Sequence, residues 1–141
     1  GNLGAIALVF LSLDPAEHHQ VILASGASDG SPSRINQISF RLSELAGLRE
    51  MARRAKAGGA KDLVAVSHGN ALSVYFRDPE ANRIELFVDT PWYVRQPQRM
   101  PMDLELPDAE LWAWAEAEAR KQTGFPPVEE SRAEMARRMG R

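Results

Sequence analysis

Few side chains in this chain can do chemistry, and the most suggestive are a phenol and a carboxylate ten residues apart, Tyr75 and Glu85. They lie in the stretch HGNALSVYFRDPEANRIELFV, residues 68–88. Apolar residues alternate there at Leu72, Val74 and Phe76, and again at Ile84, Leu86 and Val88, the period-two pattern of two strands. Asp78, Pro79 and Asn82 supply the turn, since proline presets φ and short polar side chains bond their own backbone. A turn centred on Glu80 sets Tyr75 opposite Glu85 on one face and Val74 opposite Leu86 on the other. A phenol beside a carboxylate is either an ordinary hydrogen bond on a sheet surface or the working pair of a metal-binding or acid/base site in a concave sheet. His68 stands at the entry to the hairpin. His18 and His19 flank an earlier turn, where the plain reading is a solvated pair.

Composition narrows the field. The 141 residues amount to one ordinary domain, long enough to bury a core. An apolar share of 44% and a charged share of 26% are those of a soluble globular protein. The net charge of −2, with both signs interspersed, leaves no basic footprint for nucleic acid. Cysteine is absent, which excludes disulfides, thiolate metal sites and a cysteine nucleophile. Site chemistry therefore falls to His, Asp, Glu, Gln and Tyr. The opening GAIALVFLSL is too short to span a bilayer and follows no basic residue, so neither a membrane helix nor a signal peptide is expected, and a cytoplasmic location follows by default.

The elements that must position these side chains follow from the periodicity. Residues 5–13 and 20–24 read as strands joined by DPAEHH. Laying ALVFLSLDPAEHHQVIL, from Ala7, on ALSVYFRDPEANRIELF, from Ala71, gives an ungapped match in which Ala7/Ala71, Leu8/Leu72, Asp14/Asp78 and Pro15/Pro79 are identical. The chain is thus expected to contain the same hairpin twice. Residues 26–33, GASDGSPS, read as a loop. Residues 35–41 read as a strand on which Gln37 shares a face with Ile35 and Ser39. Residues 43–57 switch to a helical period, with Leu45, Leu48, Met51 or Ala52, and Ala55 as the apolar stripe. Ser43 is placed to cap this helix, and Gly58 or Gly59 to stop it. Residues 62–67 form a further strand leading to His68. After Asp89, TPWYVRQPQRMPMDLELP is expected to be an extended segment; a helix capped by Asp108 runs to about Lys121, GFPP breaks it, and a last helix starts near Val128. Trp92, Trp112 and Trp114 are expected to anchor this tail by burying large rings, although a partner-binding tail is the rival reading. The division expected is a domain over 1–95 and a tail over 96–141.

A strand, helix, three-strand unit ending in YFRDPxxNRxEL, with its hairpin repeated in one chain, resembles the vicinal oxygen chelate superfamily. That superfamily comprises glyoxalase I, the fosfomycin and bleomycin resistance proteins and the type I extradiol ring-cleaving dioxygenases. The resemblance is carried by VYFRDPEANRIELFVD, by HHQVIL and by the helix between them, over roughly residues 5–94. It implies an α+β fold of βαβββ modules forming a cupped mixed sheet with helices outside. It also implies a divalent metal held in the cup, with Glu85 as a ligand and Gln37 at the place of a second. Positions His19, His68 and Tyr75 match the catalytic His of the extradiol branch and the His and Tyr that hydrogen-bond beside its metal. In that branch one His takes a proton from a catechol hydroxyl, and the other His with the Tyr donates hydrogen bonds to metal-bound oxygen. Two departures stand out. A second His is usual where Gln37 stands, although glyoxalase I relatives use Gln. The third ligand belongs on the first strand of the first module, and the repeat spacing puts that strand about 28 residues upstream of Gly1.

The resemblance therefore implies a metal-dependent enzyme like the extradiol dioxygenases, using Fe(II), with Mn, Ni or Zn as alternatives, on an aromatic diol. The rivals are a glyoxalase-type isomerase or lyase acting on an α-keto type substrate, and a metal-free protein that sequesters a small molecule. A sheet edge left open by an incomplete first module would favour a homodimer, and neither a nucleic acid nor a membrane partner is expected.

Overall fold

Alternating apolar residues become strand wherever a neighbour can complete the ladder. The hairpin of β6 (Ala71–Arg77) and β7 (Arg83–Asp89) pairs antiparallel over its full length, with Tyr75 opposite Glu85 and Val74 opposite Leu86, as the pattern predicts. Its turn is held by Asp78, whose carboxylate accepts hydrogen bonds from the backbone of Glu80 and Asn82 and from the Asn82 amide.

The computed structural model describes residues 1–17, 19–26, 35–122 and 125–140. Among them lie the mixed five-stranded sheet β4-β7-β6-β5-β8, the three-stranded sheet β1-β2-β3 and three helices, an α+β fold. His18 and residues 27–33 of the expected loop fall outside the described residues. No helix among those described is long and apolar enough to cross a membrane.

The repeat is present in three dimensions. β2 (Ile6–Leu11) pairs with β3 (Val21–Ala24), Leu8 opposite Ala24 and Leu11 opposite Val21. This is the register in which Leu72 meets Val88 and Tyr75 meets Glu85 in the second hairpin. The turns match as well: Asp14 accepts from the backbone of Ala16 through its carboxylate and from Glu17 through its carbonyl, as Asp78 does from Glu80 and Ala81. The strand is shorter than the 5–13 expected because the ladder ends where Ser12 and Asp14 turn their side chains to local backbone. β1 (Asn2–Leu3), a short partner of β2, has no sequence signal.

β4 (Ile38–Arg41) runs parallel to β7, from Ile38 opposite Ile84 to Arg41 opposite Phe87. It begins three residues later than the alternation from Ile35 suggests; in this register β7, which starts at Arg83, extends only one residue beyond Ile84 and has no partner for Ile35 or Asn36. α1 (Leu45–Ala57) buries Leu45, Leu48 and Ala52 and packs on β5, β6 and β7. Its N-cap position is held by Glu44 without a side-chain capping bond, so Ser43 is not the cap; Gly58 closes the other end. β5 (Lys61–Ser67) pairs with β6, and beyond it β8 (Met100–Pro101) adds a short edge.

The segment after β7 is extended, as its prolines demand. Trp92 is buried and donates its indole N–H to the Gly69 carbonyl at 2.6 Å, and its ring meets Trp112 edge-on and lies against Phe125. α2 (Asp108–Arg120) follows Pro107, which takes the N-cap position; Asp108 is inside the first turn, where its charge favours the helix dipole. Leu111, Ala115 and Ala119 of α2 join Leu48, Leu72, Val74, Leu86 and Val88 in one buried cluster, with Trp112 and Trp114 packed against it. α3 (Val128–Arg138) buries no residue fully.

Candidate active site

Strand register lines up the polar side chains. Ser39 of β4, Glu85 of β7 and Tyr75 of β6 are consecutive cross-strand partners, so their side chains share the sheet face turned away from Leu72, Val74 and Leu86. Glu85 is 8% exposed, and a carboxylate so buried requires hydrogen-bond donors on both oxygens. It has them. Oε1 accepts the Tyr75 hydroxyl at 2.5 Å, and Oε2 accepts the Ser39 hydroxyl at 2.6 Å and the Gln37 side-chain N–H at 2.8 Å.

His68 extends the cluster. Its Nδ1 lies 2.6 Å from the Gln98 carbonyl, which can only accept, so Nδ1 carries a proton. Its Nε2 lies 2.9 Å from the Tyr75 hydroxyl and 3.9 Å from Glu85 Oε1. In the neutral ring Nε2 competes with Glu85 for the one phenolic proton. In the imidazolium Nε2 donates to the Tyr75 oxygen while Tyr75 donates to Glu85. Tyr75 is thus a bridge across which a proton can pass between carboxylate and imidazole. Burial raises the Tyr75 pKa, and the charge of Glu85 and its hydrogen bond raise it further, so the phenol keeps its proton as a donor.

His19 stands beside this network. It is half-buried, meets Phe10 edge-on with ring centroids 5.3 Å apart, and is within electrostatic reach of Glu85 and His68. Burial lowers its pKa from the ordinary 6.5, opposed by the negative charge of Glu85. The structure thus joins Gln37, His68, Tyr75 and Glu85 by hydrogen bonds and places His19 nearby. Sequence reasoning passed over Ser39, Gln98, Arg83 and Arg99. Ser39 was the accessible one, since it shares the alternating face of Gln37. The Gln98 carbonyl had no sequence signal, because nothing in a proline-rich segment shows where it lies. Arg83 and Arg99 approach the Tyr75 ring, their guanidinium carbons 4.7 and 5.8 Å from its centroid.

The donor set fits a divalent metal in part. Glu85 is a buried carboxylate whose hydrogen-bond partners are neutral hydroxyls and an amide, the setting in which a cation can take their place. Yet Gln37 turns its nitrogen to Glu85, and among the described residues no three His, Asp or Glu side chains converge as a metal-holding group. A groove of about 930 Å³ between Tyr93, Arg95 and α3 shares no residue with the cluster.

The chain is similar to biphenyl-2,3-diol 1,2-dioxygenase 3 of Rhodococcus globerulus, with 33% identity over 89 residues, 59% of this chain and 46% of the relative. It is also similar to biphenyl-2,3-diol 1,2-dioxygenase 2 of the same organism, with 28% identity over 87 residues, 58% of this chain and 45% of the relative. The chain spans about half the length of both. No protein-family model matches it, and no solved structure does.

Proposed function

We propose that this protein is a ring-cleaving dioxygenase of the extradiol type, a member of the vicinal oxygen chelate superfamily acting on an aromatic diol. The observation that carries the reading is the buried Glu85 carboxylate joined through Tyr75 to His68, in a chain similar to two enzymes named for that chemistry. Glu85 is a metal ligand in this reading, and Gln37 a second once its amide turns its oxygen inward. The further ligand is supplied by a strand and helix that complete the first module, from a preceding segment or from a second copy. Two features support that completion: Ile38 and Phe40 of β4 and Val21 and Leu23 of β3 are exposed on strands at the edges of the two sheets. Fe(II), when bound, supplies the activation of oxygen. His19 takes a proton from a diol hydroxyl, for which burial suits it by keeping the imidazole neutral, and Tyr75 and His68 are the hydrogen-bonding groups on the diol side of the carboxylate.

Metal content and oxygen uptake with catechol test the reading on the purified protein, prepared with any upstream segment included. It expects bound iron, one oxygen consumed per ring opened, and a loss of about a hundredfold or more in Glu85→Gln. A preparation that retains no metal, consumes no oxygen and is indifferent to Glu85→Gln removes it. The presence of Gln37 beside Glu85 favours one alternative, a glyoxalase-type isomerase, which turns over with Ni or Zn and consumes no oxygen.

A further inference from the structure

Arg83 lies on the same face of β7 as Glu85, and the register sets it opposite Arg77. Like charges directly opposite in a ladder are destabilising. Arg77 is compensated, by Asp62 at 3.4 Å and by the Ala81 carbonyl at 2.8 Å. Arg83 is not: among the described residues its guanidinium makes no hydrogen bond or ion pair and rests on the Tyr75 ring. Arg99 approaches the same ring, likewise without an ion pair or side-chain hydrogen bond among the described residues. Both backbones are fixed. Arg83 opens the ladder of β7, and Arg99 sits between Gln98, whose carbonyl holds His68, and Met100, which pairs with Ser67.

A ring face is a weak partner for a guanidinium. A carboxylate is the strong partner, because its two oxygens match the fork of N–H donors. We propose that Arg83, with Arg99 adding positive charge at the rim, receives the carboxylate of the substrate, so that the protein takes a carboxylated aromatic diol in preference to a neutral biaryl diol. This rests on the reading above, which brings the diol to the Glu85 and Tyr75 hydroxyl end; the arginines stand beside the Tyr75 ring that leads there, where a ring substituent would project. The half-buried Arg83 and exposed Arg99 leave the anion end of the site at its rim.

The test is titration of the protein with 2,3-dihydroxybenzoate, its methyl ester and catechol, followed by tryptophan fluorescence or calorimetry. The acid is expected to bind about tenfold or more tighter than the ester, with the preference eroded by salt. In Arg83→Gln and in Arg99→Gln, each verified as folded by circular dichroism, the acid-to-ester ratio falls toward one. Catechol and ester binding as tightly as the acid overturns the inference and leaves the diol reading standing. No binding of any of the three overturns both.

Discussion

At the scale of single residues, the site is governed by what it takes to keep the Glu85 carboxylate out of water. Three side-chain donors serve its two oxygens, and one of them, the Tyr75 hydroxyl, also serves His68. Tyr75→Phe keeps the ring and removes the bridge. It leaves Glu85 Oε1 and His68 Nε2 each short of a partner, and is expected to cost about 1–3 kcal/mol in urea unfolding. An unchanged midpoint would mean that water replaces the hydroxyl freely. His19 gives the pH dependence. Its folded-state pKa lies below 6.5, so below that pH the unfolded chain binds the proton more readily. Its contribution is therefore intact above pH 6.5 and lost as pH falls through the depressed value. Unfolding midpoints measured down that window should decline in the parent and decline less in His19→Gln.

At the scale of elements, one hairpin is built twice, and only the second copy carries the phenol–carboxylate pair. The two copies share register and turn, yet the positions of Tyr75 and Glu85 are taken in the first by Leu11 and Val21, which face each other across β2 and β3. The Asp-Pro turn is thus a structural constant and the phenol–carboxylate pair an addition. Asp78→Ala strips three hydrogen bonds from the second turn, and a loss of about 1–2 kcal/mol is expected. Asp14→Ala should cost less in the same denaturation assay, because the strands it joins are largely exposed and contribute little to the core. Equal losses would show the first hairpin to be as firmly built as the second. The hairpin was legible because alternation and turn chemistry are local, and locating the turn at once gives the facing pairs. Gln37 and Ser39 were legible only as sharing a face, since nothing local says that β4 lies beside β7. The start of β4 was misplaced because it depends on how far the neighbouring strand extends, and the cap of α1 because Glu44 takes the N-cap position without any side-chain capping bond for the sequence to signal. The approach of Gln98 and Arg99 to the site was out of reach, being set by the path of an aperiodic segment.

At the scale of the whole molecule, the question is what holds the five-stranded sheet together. Its apolar face is not completed by α1 alone. Leu111, Ala115 and Ala119 of α2 are fully buried in the same cluster as Leu48, Leu72 and Val74, and Met102 and Val94 of the extended segment join them. That segment also crosses to the site, where Gln98 receives His68 and the Gln96 amide donates to the His68 carbonyl. Core and site therefore depend on the same stretch of chain. A protein ending at residue 95 loses Met102, Leu111, Ala115 and Ala119 from the core. Burial of each large apolar side chain contributes about 1.5–3 kcal/mol, against a total stability on the order of 5–15 kcal/mol. Uncovering Leu72, Val74 and Trp92 at the same time takes the sum past what a domain of this size can lose. The truncated chain is expected to show no cooperative urea transition and to bind a hydrophobic dye, and the full chain to show a single sigmoidal unfolding. A truncated chain that unfolded cooperatively near the parent midpoint would make the C-terminal segment an appendage. On the contacts above it is instead the second wall of the core and the support on which His68 is held.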